Sequence, residues 1–289
     1  MSYTFRAMNT DVMVEGTDRE IRPWFERVEA TLSRFNPESP LSQLNRLQGR
    51  WVIVPGLLYR AVGAALESAR LTAGAFDPTV LDALEGAGYV RSFDLGQSAP
   101  ARNATAAGRW REVRLAPTAP AVRLPTGVRL DLGGIGKGLA VDGAMERLAQ
   151  EPRALVNAGG DVALRTAPGD APVLVDVEDP WDPQRTLATF SLKDGAAATS
   201  SAIGRCWGPG LHHIIDPATG RPAETDVATA TVFAPTVAWA EVLAKAAIVL
   251  GSERALALWR HHRCRGLMLL RTGQQILSED LEDYRHVSA

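Results

Sequence analysis

The sequence predicts a layered α+β fold, with packed helices on a mixed sheet. Segments of helical spacing fill the first part of the chain and return late, while strand-like segments crowd the second half. The two kinds do not alternate strictly, which argues against a repeated βαβ arrangement. At 289 residues the chain can bury a sizeable core, as one domain over 1–289 that two subdomains could make up.

The elements follow in order. "TDVMVEG" alternates as a half-buried strand does, and residues 22–35 place Trp24, Val28, Leu32 and Phe35 at helical spacing. Pro23 suits that helix's first turn. "PESPLSQLNRL" reads as a loop and a short helix around Leu41, Leu44 and Leu47, and residues 57–71 form a further helix ending near Gly74. The stretch 91–127 is rich in Ala, Arg, Gly and Pro, with short strands at "REVRL" and "AVRL". "VRLDLGGIGKGLAVDGAMERL" reads as strand, glycine turn and helix. The strand-like runs "ALVNAGGDVALRT", "PVLVDVED", "TLATFSL", "AAATS" and "VATATVFAP" come next, with a β run and turn at "HHIIDPATGRP". Residues 237–261 read as helix, and "GLMLLRT" and "QQILS" as a hairpin through Gly273.

Composition narrows the function. Hydrophobic residues make up 46% and charged residues 22%, as in a soluble globular protein. A net charge of −2 gives no broad attraction to nucleic acid or an acidic membrane surface, so any anion is held locally. No run approaches the roughly 18 apolar residues that a membrane span needs, so no membrane insertion is expected. The opening "MSYTFRAMNTDVMVEG" has no basic-then-apolar leader pattern, and a cytoplasmic enzyme is expected. Cys206 and Cys264 form no CxxC pair and are expected as buried free thiols.

Several stretches could carry chemistry. Gly133, Gly134, Gly136 and Gly138 permit close backbone approach and unusual dihedrals at the start of a helix, where unpaired N–H groups attract phosphate. The segment is no P-loop, since Gly138 follows Lys137, and no dinucleotide fingerprint, since Leu139 stands where the third glycine belongs. Lys137 could add charge and Asp131 could accept from a sugar or base; a packing turn that binds nothing is the competing reading. "NAGGDV" is a second glycine turn, capped by Asp161. In "AFDPTV", Asp77 stands beside Phe76 at an Asp-Pro step. His213 and Asp216 flank two apolar residues, and histidine is suited to proton transfer near neutral pH. Glu241 and Lys245 lie four apart on one helix face, as a plain ion pair or as groups reaching into a phosphate site.

Taken in order, "AMNTDV", "LSRFNPESPLSQLN", "AFDPTV", "LDLGGIGKGLAVD", "LVNAGGDV", "TSS", "HHIIDPATGRP" and "AEVLAKAAIVLG" resemble the successive blocks of the ApbE family of FAD:protein FMN transferases. The resemblance implies a layered fold related to the T-fold, with FAD as substrate and a magnesium ion as cofactor. It implies cleavage of the pyrophosphate, transfer of FMN to a Thr or Ser hydroxyl of an acceptor protein, and release of AMP. Some members chiefly hydrolyse FAD to FMN and AMP. Carried over, Met8, Phe35, Ala75, Phe76, Asp77, Asp131, Lys137 and Asp161 fall in nucleotide-contact blocks. The Gly134 carbonyl matches a metal-ligand position, and His213 matches the catalytic histidine. The family's Asp and Thr metal ligands on the late helix are Glu241 and Lys245 here. An ammonium cannot ligate a cation, which leaves three outcomes. Glu241 and Gly134 could hold the metal while Lys245 binds phosphate; Lys245 could replace part of the ion's charge; or the site could bind a flavin nucleotide without turnover.

Overall fold

The computed structural model describes residues 2–17, 20–92, 107–182 and 184–286. A hairpin of β1 (Ser2–Ala7) and β2 (Thr10–Glu15) opens the chain, turning through Met8 and Asn9 with φ of 52° and 62°. Next come α1 (Ile21–Leu32), α2 (Pro40–Arg46), β3 (Trp51–Ile53), α3 (Gly56–Leu71) and α4 (Leu81–Gly86). Strands β4 (Arg114–Leu115) and β5 (Ala121–Arg123) join β3 in a small sheet, and α5 (Gly136–Arg147) follows. The second half carries β6 (Ala154–Ala158), β7 (Asp161–Arg165), β8 (Val173–Glu178), β9 (Thr186–Leu192) and β10 (Asp194–Ser201). Two short pairs, β11 (Cys206–Gly208) with β12 (Leu211–His212) and β13 (Ile215–Asp216) with β14 (Arg221–Pro222), precede β15 (Val227–Ala234). The chain then runs through α6 (Val237–Leu250), α7 (Ser252–His261), β16 (Arg265–Leu270) and β17 (Gln275–Leu277).

The expected α+β layering is present. The main sheet has the order β1-β2-β6-β7-β10-β15-β16-β17, and every neighbouring pair in it is antiparallel rather than mixed as the sequence predicts, with short turns joining β1 to β2, β6 to β7 and β16 to β17 as only antiparallel pairs allow. Period-two alternation buries both of its faces. Val156, Ala163, Ala198, Val232 and Met268 point into the large core under α1, α5 and α6. Their neighbours Leu155, Leu164, Ala197, Phe233 and Leu267 point into a second core beneath the β8–β9 hairpin. Alanines at 196 and 198 keep the sheet low where the alanine-rich α6 lies across it.

Four departures have local causes. Residues 128–132, read as a strand, join no ladder: the buried Asn45 side chain accepts from the Leu130 N–H and donates to its carbonyl, both at 2.8 Å. The Asp131 N–H goes to the Pro78 carbonyl instead. Helix α1 stops at Leu32 rather than 35, because Ser33 turns extended and its carbonyl accepts from the Ser39 hydroxyl at 2.6 Å. The expected 237–261 helix breaks at Gly251, whose φ of 81° ends α6 and lets α7 start. Cys264 is buried as expected, whereas Cys206 is exposed on the short β11. Strands β1 and β3 and helix α4 lie in stretches with no assigned element in the sequence reading, and part of the 91–127 expectation, residues 93–106, lies outside the described residues. Among the described residues, no helix is long and apolar enough to cross a membrane.

Helices α1, α5 and α6 are locked together, and this lock positions the site. The Trp24 indole of α1 donates to the Ala140 carbonyl of α5 at 2.8 Å. Asp142 of α5 accepts from the first two amides of α6, Val237 at 2.8 Å and Ala238 at 3.0 Å. Those amides have no intrahelical partner, so the carboxylate caps α6 from its neighbour.

Candidate active site

A cavity of about 290 Å³ opens where the β1–β2 turn, the end of α1, the loop after α3 and the turn before α5 meet. Met8 enters from the hairpin, its backbone N–H held by Glu29 at 2.9 Å. Phe35 and its neighbour Arg34 follow α1, and Ala75, Phe76 and Asp77 follow α3. Asp131, Gly134 and Lys137 come from the segment into α5, His213 from the loop after β12, and Lys245 from α6. Residues scattered over the whole chain thus reach one space.

Two expected residues stand behind its wall rather than in it. Asp161 and Glu241 are each buried to about 1% exposure and outside the lining. Lys137 pairs closely with Asp161 and lies 3.7 Å from Glu241, while Lys245 donates to Glu241 at 3.0 Å. The other Glu241 oxygen accepts from the Gly138 N–H in the first turn of α5, at 3.0 Å. Burial pushes Glu241 up, yet Lys245, Lys137 and that amide outweigh it and hold the carboxyl below its usual range. Burial, with repulsion from Lys245 and Arg205, pulls the Lys137 ammonium down to about 8 against the attraction of Glu241.

The glycines act through space rather than through dihedrals. None of Gly133, Gly134, Gly136 or Gly138 has a positive φ, contrary to the expectation of unusual backbone angles. A Cβ on Gly134 would meet Phe76 Cε2 at 3.0 Å and Lys245 Cδ at 3.4 Å. On Gly138 it would meet the Ala238 backbone at 2.4 Å, so glycine is what lets α5 and α6 touch. The unusual angles fall instead in "NAGGDV", where Gly159 and Gly160 have φ of 64° and 92° and turn β6 into β7.

Two carboxylates face the ligand space with different constraints. Asp131 is engaged on both oxygens, by Arg34 at 2.8 Å and by the Gly133 N–H at 3.1 Å. Asp77 Oδ1 accepts from the Thr79 N–H and hydroxyl at 2.7 and 2.6 Å, whereas its Oδ2 is buried with no hydrogen-bond partner among the described residues. Burial pushes the Asp77 carboxyl up, and the Thr79 bonds, the Trp110 backbone and the Arg111 charge only partly oppose this.

His213 Nδ1 is likewise buried with no hydrogen-bond partner among the described residues. Burial first, then Lys245, Arg205, His212 and Lys137, hold this imidazole well below its usual value. It is therefore neutral at neutral pH, and so able to accept a proton.

Arg34, Tyr89 and Arg205 are among the lining residues that sequence reasoning missed. Arg34 lies over the Phe35 ring at 4.2 Å and the Tyr89 ring at 4.7 Å, and donates to the Tyr89 carbonyl at 2.9 Å. Arg205 bonds Tyr89, and Tyr89 meets His213 edge-on at 6.4 Å. Arg34 sits inside a quoted block beside Phe35 and could have been noticed there; Tyr89 and Arg205 lie in no motif.

A family model described as the ApbE family matches residues 2–268. The chain belongs to the ApbE family. Among its ApbE relatives, the FAD:protein FMN transferase of Treponema pallidum is 33% identical over 270 residues, spanning 83% of this chain and 73% of the relative. The FAD:protein FMN transferase of Escherichia coli K12 is 31% identical over 151 residues, only 50% of this chain and 43% of the relative. The crystal structure of the ApbE protein from Thermotoga maritima superposes with a TM-score of 0.88 at 27% identity, covering 99% of both chains.

The metal positions implied for this ApbE chain, the Gly134 carbonyl and Glu241, do not fit a divalent cation. Both Glu241 oxygens are already engaged, one by an ammonium and one by an amide, behind the cavity wall. A cation at Gly134 would share the cavity with the like charge of Lys245. No group of three or more His, Cys, Asp or Glu able to hold a metal occurs among the described residues.

Proposed function

We propose that this chain is an FAD:protein FMN transferase acting as one catalytic unit. The observation that carries the reading is the neutral His213, placed with Lys245, Lys137 and Arg205 on one cavity, in a chain of this family. The names of the relatives support FAD as the substrate. The hydroxyl oxygen of an acceptor Thr or Ser attacks the phosphorus of the FMN half. A phosphoester bond forms, the bond from that phosphorus to the bridging oxygen breaks, and AMP leaves. His213 takes the hydroxyl proton, while the cationic wall offsets charge on the phosphate oxygens. Phe35 and Tyr89, with Arg34 against both rings, supply flat surface for a flavin or adenine ring. Asp77 Oδ2 offers an acceptor for a ring N–H.

The test is a mass measurement after incubation with FAD, with and without a candidate acceptor. The reading predicts AMP release together with an acceptor heavier by one FMN less one water and fluorescent after denaturation. Free FMN and AMP without any modified acceptor would instead make the chain an FAD pyrophosphatase. The cytoplasmic setting belongs to this proposal, and cell fractionation tests it.

A further inference from the structure

We infer that Lys245 takes the place of a divalent cation in this chain: its ammonium holds the nucleotide's diphosphate directly, and the pocket binds flavin nucleotide without metal. The inference rests on the FAD reading above. Four observations carry it. The Lys245 stem passes the Gly134 wall, with Cδ and Cε at 3.4 and 3.5 Å from the position a Cβ would take there. Lys245 lines the cavity, and its ammonium gives one hydrogen bond, to Glu241, among the described residues, so two of its three N–H donors remain for phosphate oxygens. Glu241 is pinned from behind by the Gly138 amide, which fixes where that ammonium points and occupies an amide of the α5 N-terminus that would otherwise meet an anion. Finally, Lys137 and Lys245 balance Asp161 and Glu241 with no ion added. Arg205, close enough to repel Lys137 and His213, adds a further positive charge on that side of the lining.

A lysine suits this role because it is a compact point charge, and a diphosphate presents several oxygens around it. A fixed ammonium in place of a carboxylate-bound divalent cation supplies one positive charge rather than two, but it does so with one fewer component to bind.

The experiment is FAD binding to the whole protein by calorimetry, in chelator and across a magnesium titration. Wild type is expected to bind FAD with the same affinity in both, and magnesium alone to give no saturable heat. Lys245→Met is expected to weaken FAD and FMN by about tenfold or more, the scale of a charge-assisted hydrogen bond. Riboflavin, which has no phosphate, should bind the variant as it binds wild type, and Lys245→Arg should retain nucleotide binding. A wild type that needs magnesium to bind FAD overturns the inference, as does a folded Lys245→Met with unchanged affinity. The wild-type titration decides the metal question even if the variant does not fold. If no flavin nucleotide binds under any condition, the FAD reading itself fails, which is a different result from binding that depends on metal.

Discussion

His213→Ala lowers the rate of flavin transfer by about 10²–10⁴-fold, the range for losing a positioned general base. FAD affinity stays close to wild type, since the cationic wall that meets the diphosphate is intact. The reason lies in the surroundings of the ring. Burial and the charges of Lys245, Arg205, His212 and Lys137 keep the imidazole neutral, with a buried nitrogen that lacks a partner among the described residues. The sign of the pH dependence follows. Because the ring takes up its proton only well below 6.5, the base form is complete through neutral pH, and activity falls only when acid reaches that lower range. The acid limb of kcat/KM due to His213 therefore lies well below the ordinary histidine range. A variant with unchanged turnover, or a His213 limb at or above 6.5, would remove the histidine from this role. Once the nucleotide binds, its negative charge opposes the repulsion from the lysines and eases formation of the imidazolium during transfer.

Gly138→Ala destabilises the fold by about 3 kcal/mol, the upper part of the range for overpacking. The added methyl would sit 2.4 Å from Ala238 Cα and 2.5 Å from its nitrogen, and backbone atoms cannot rotate aside as a side chain can. The gain in helix propensity, about 1 kcal/mol for glycine to alanine, offsets only part of a larger steric cost. Helix α6 must move away from α5, stretching the Asp142 cap on Val237 and Ala238 and the Gly138–Glu241 bond. Thermal unfolding should drop by roughly 6–12 °C, and FAD binding should weaken as Lys245 shifts with its helix. Gly136→Ala, two residues earlier, is the control, since its nearest neighbour is Met8 Cε at 3.6 Å, an ordinary contact. Equal melting temperatures for the two variants would show that the α5–α6 approach is not this close.

What could be read from the sequence was local. The spacing of Trp24, Val28 and Leu32 gave α1, and the apolar run around Glu241 and Lys245 gave a helix buried on most sides. Glycine pairs marked the β6–β7 turn, and Gly273 marked the β16–β17 turn. Ten of the twelve expected site residues line the same cavity, most of them from turns and helix ends and Lys245 from the middle of α6. What escaped depends on contacts across the chain. Asn45 clamps Leu130 from 85 positions away, and nothing near "VRLDL" signals that its strand-like residues will pair with a side chain. Arg34 with Asp131, and Lys137 with Asp161, are likewise distant pairs. The spacing of Glu241 and Lys245 announced an ion pair but not that the Gly138 amide would close it from another helix.

The most direct check is a crystal structure of the wild-type protein with FAD, grown in chelator. It should show diphosphate oxygens at hydrogen-bond distance, about 2.7–3.2 Å, from Lys245 Nζ beside Gly134, with His213 facing the phosphorus of the FMN half. Density for the nucleotide elsewhere, or a diphosphate remote from both side chains, would contradict the account.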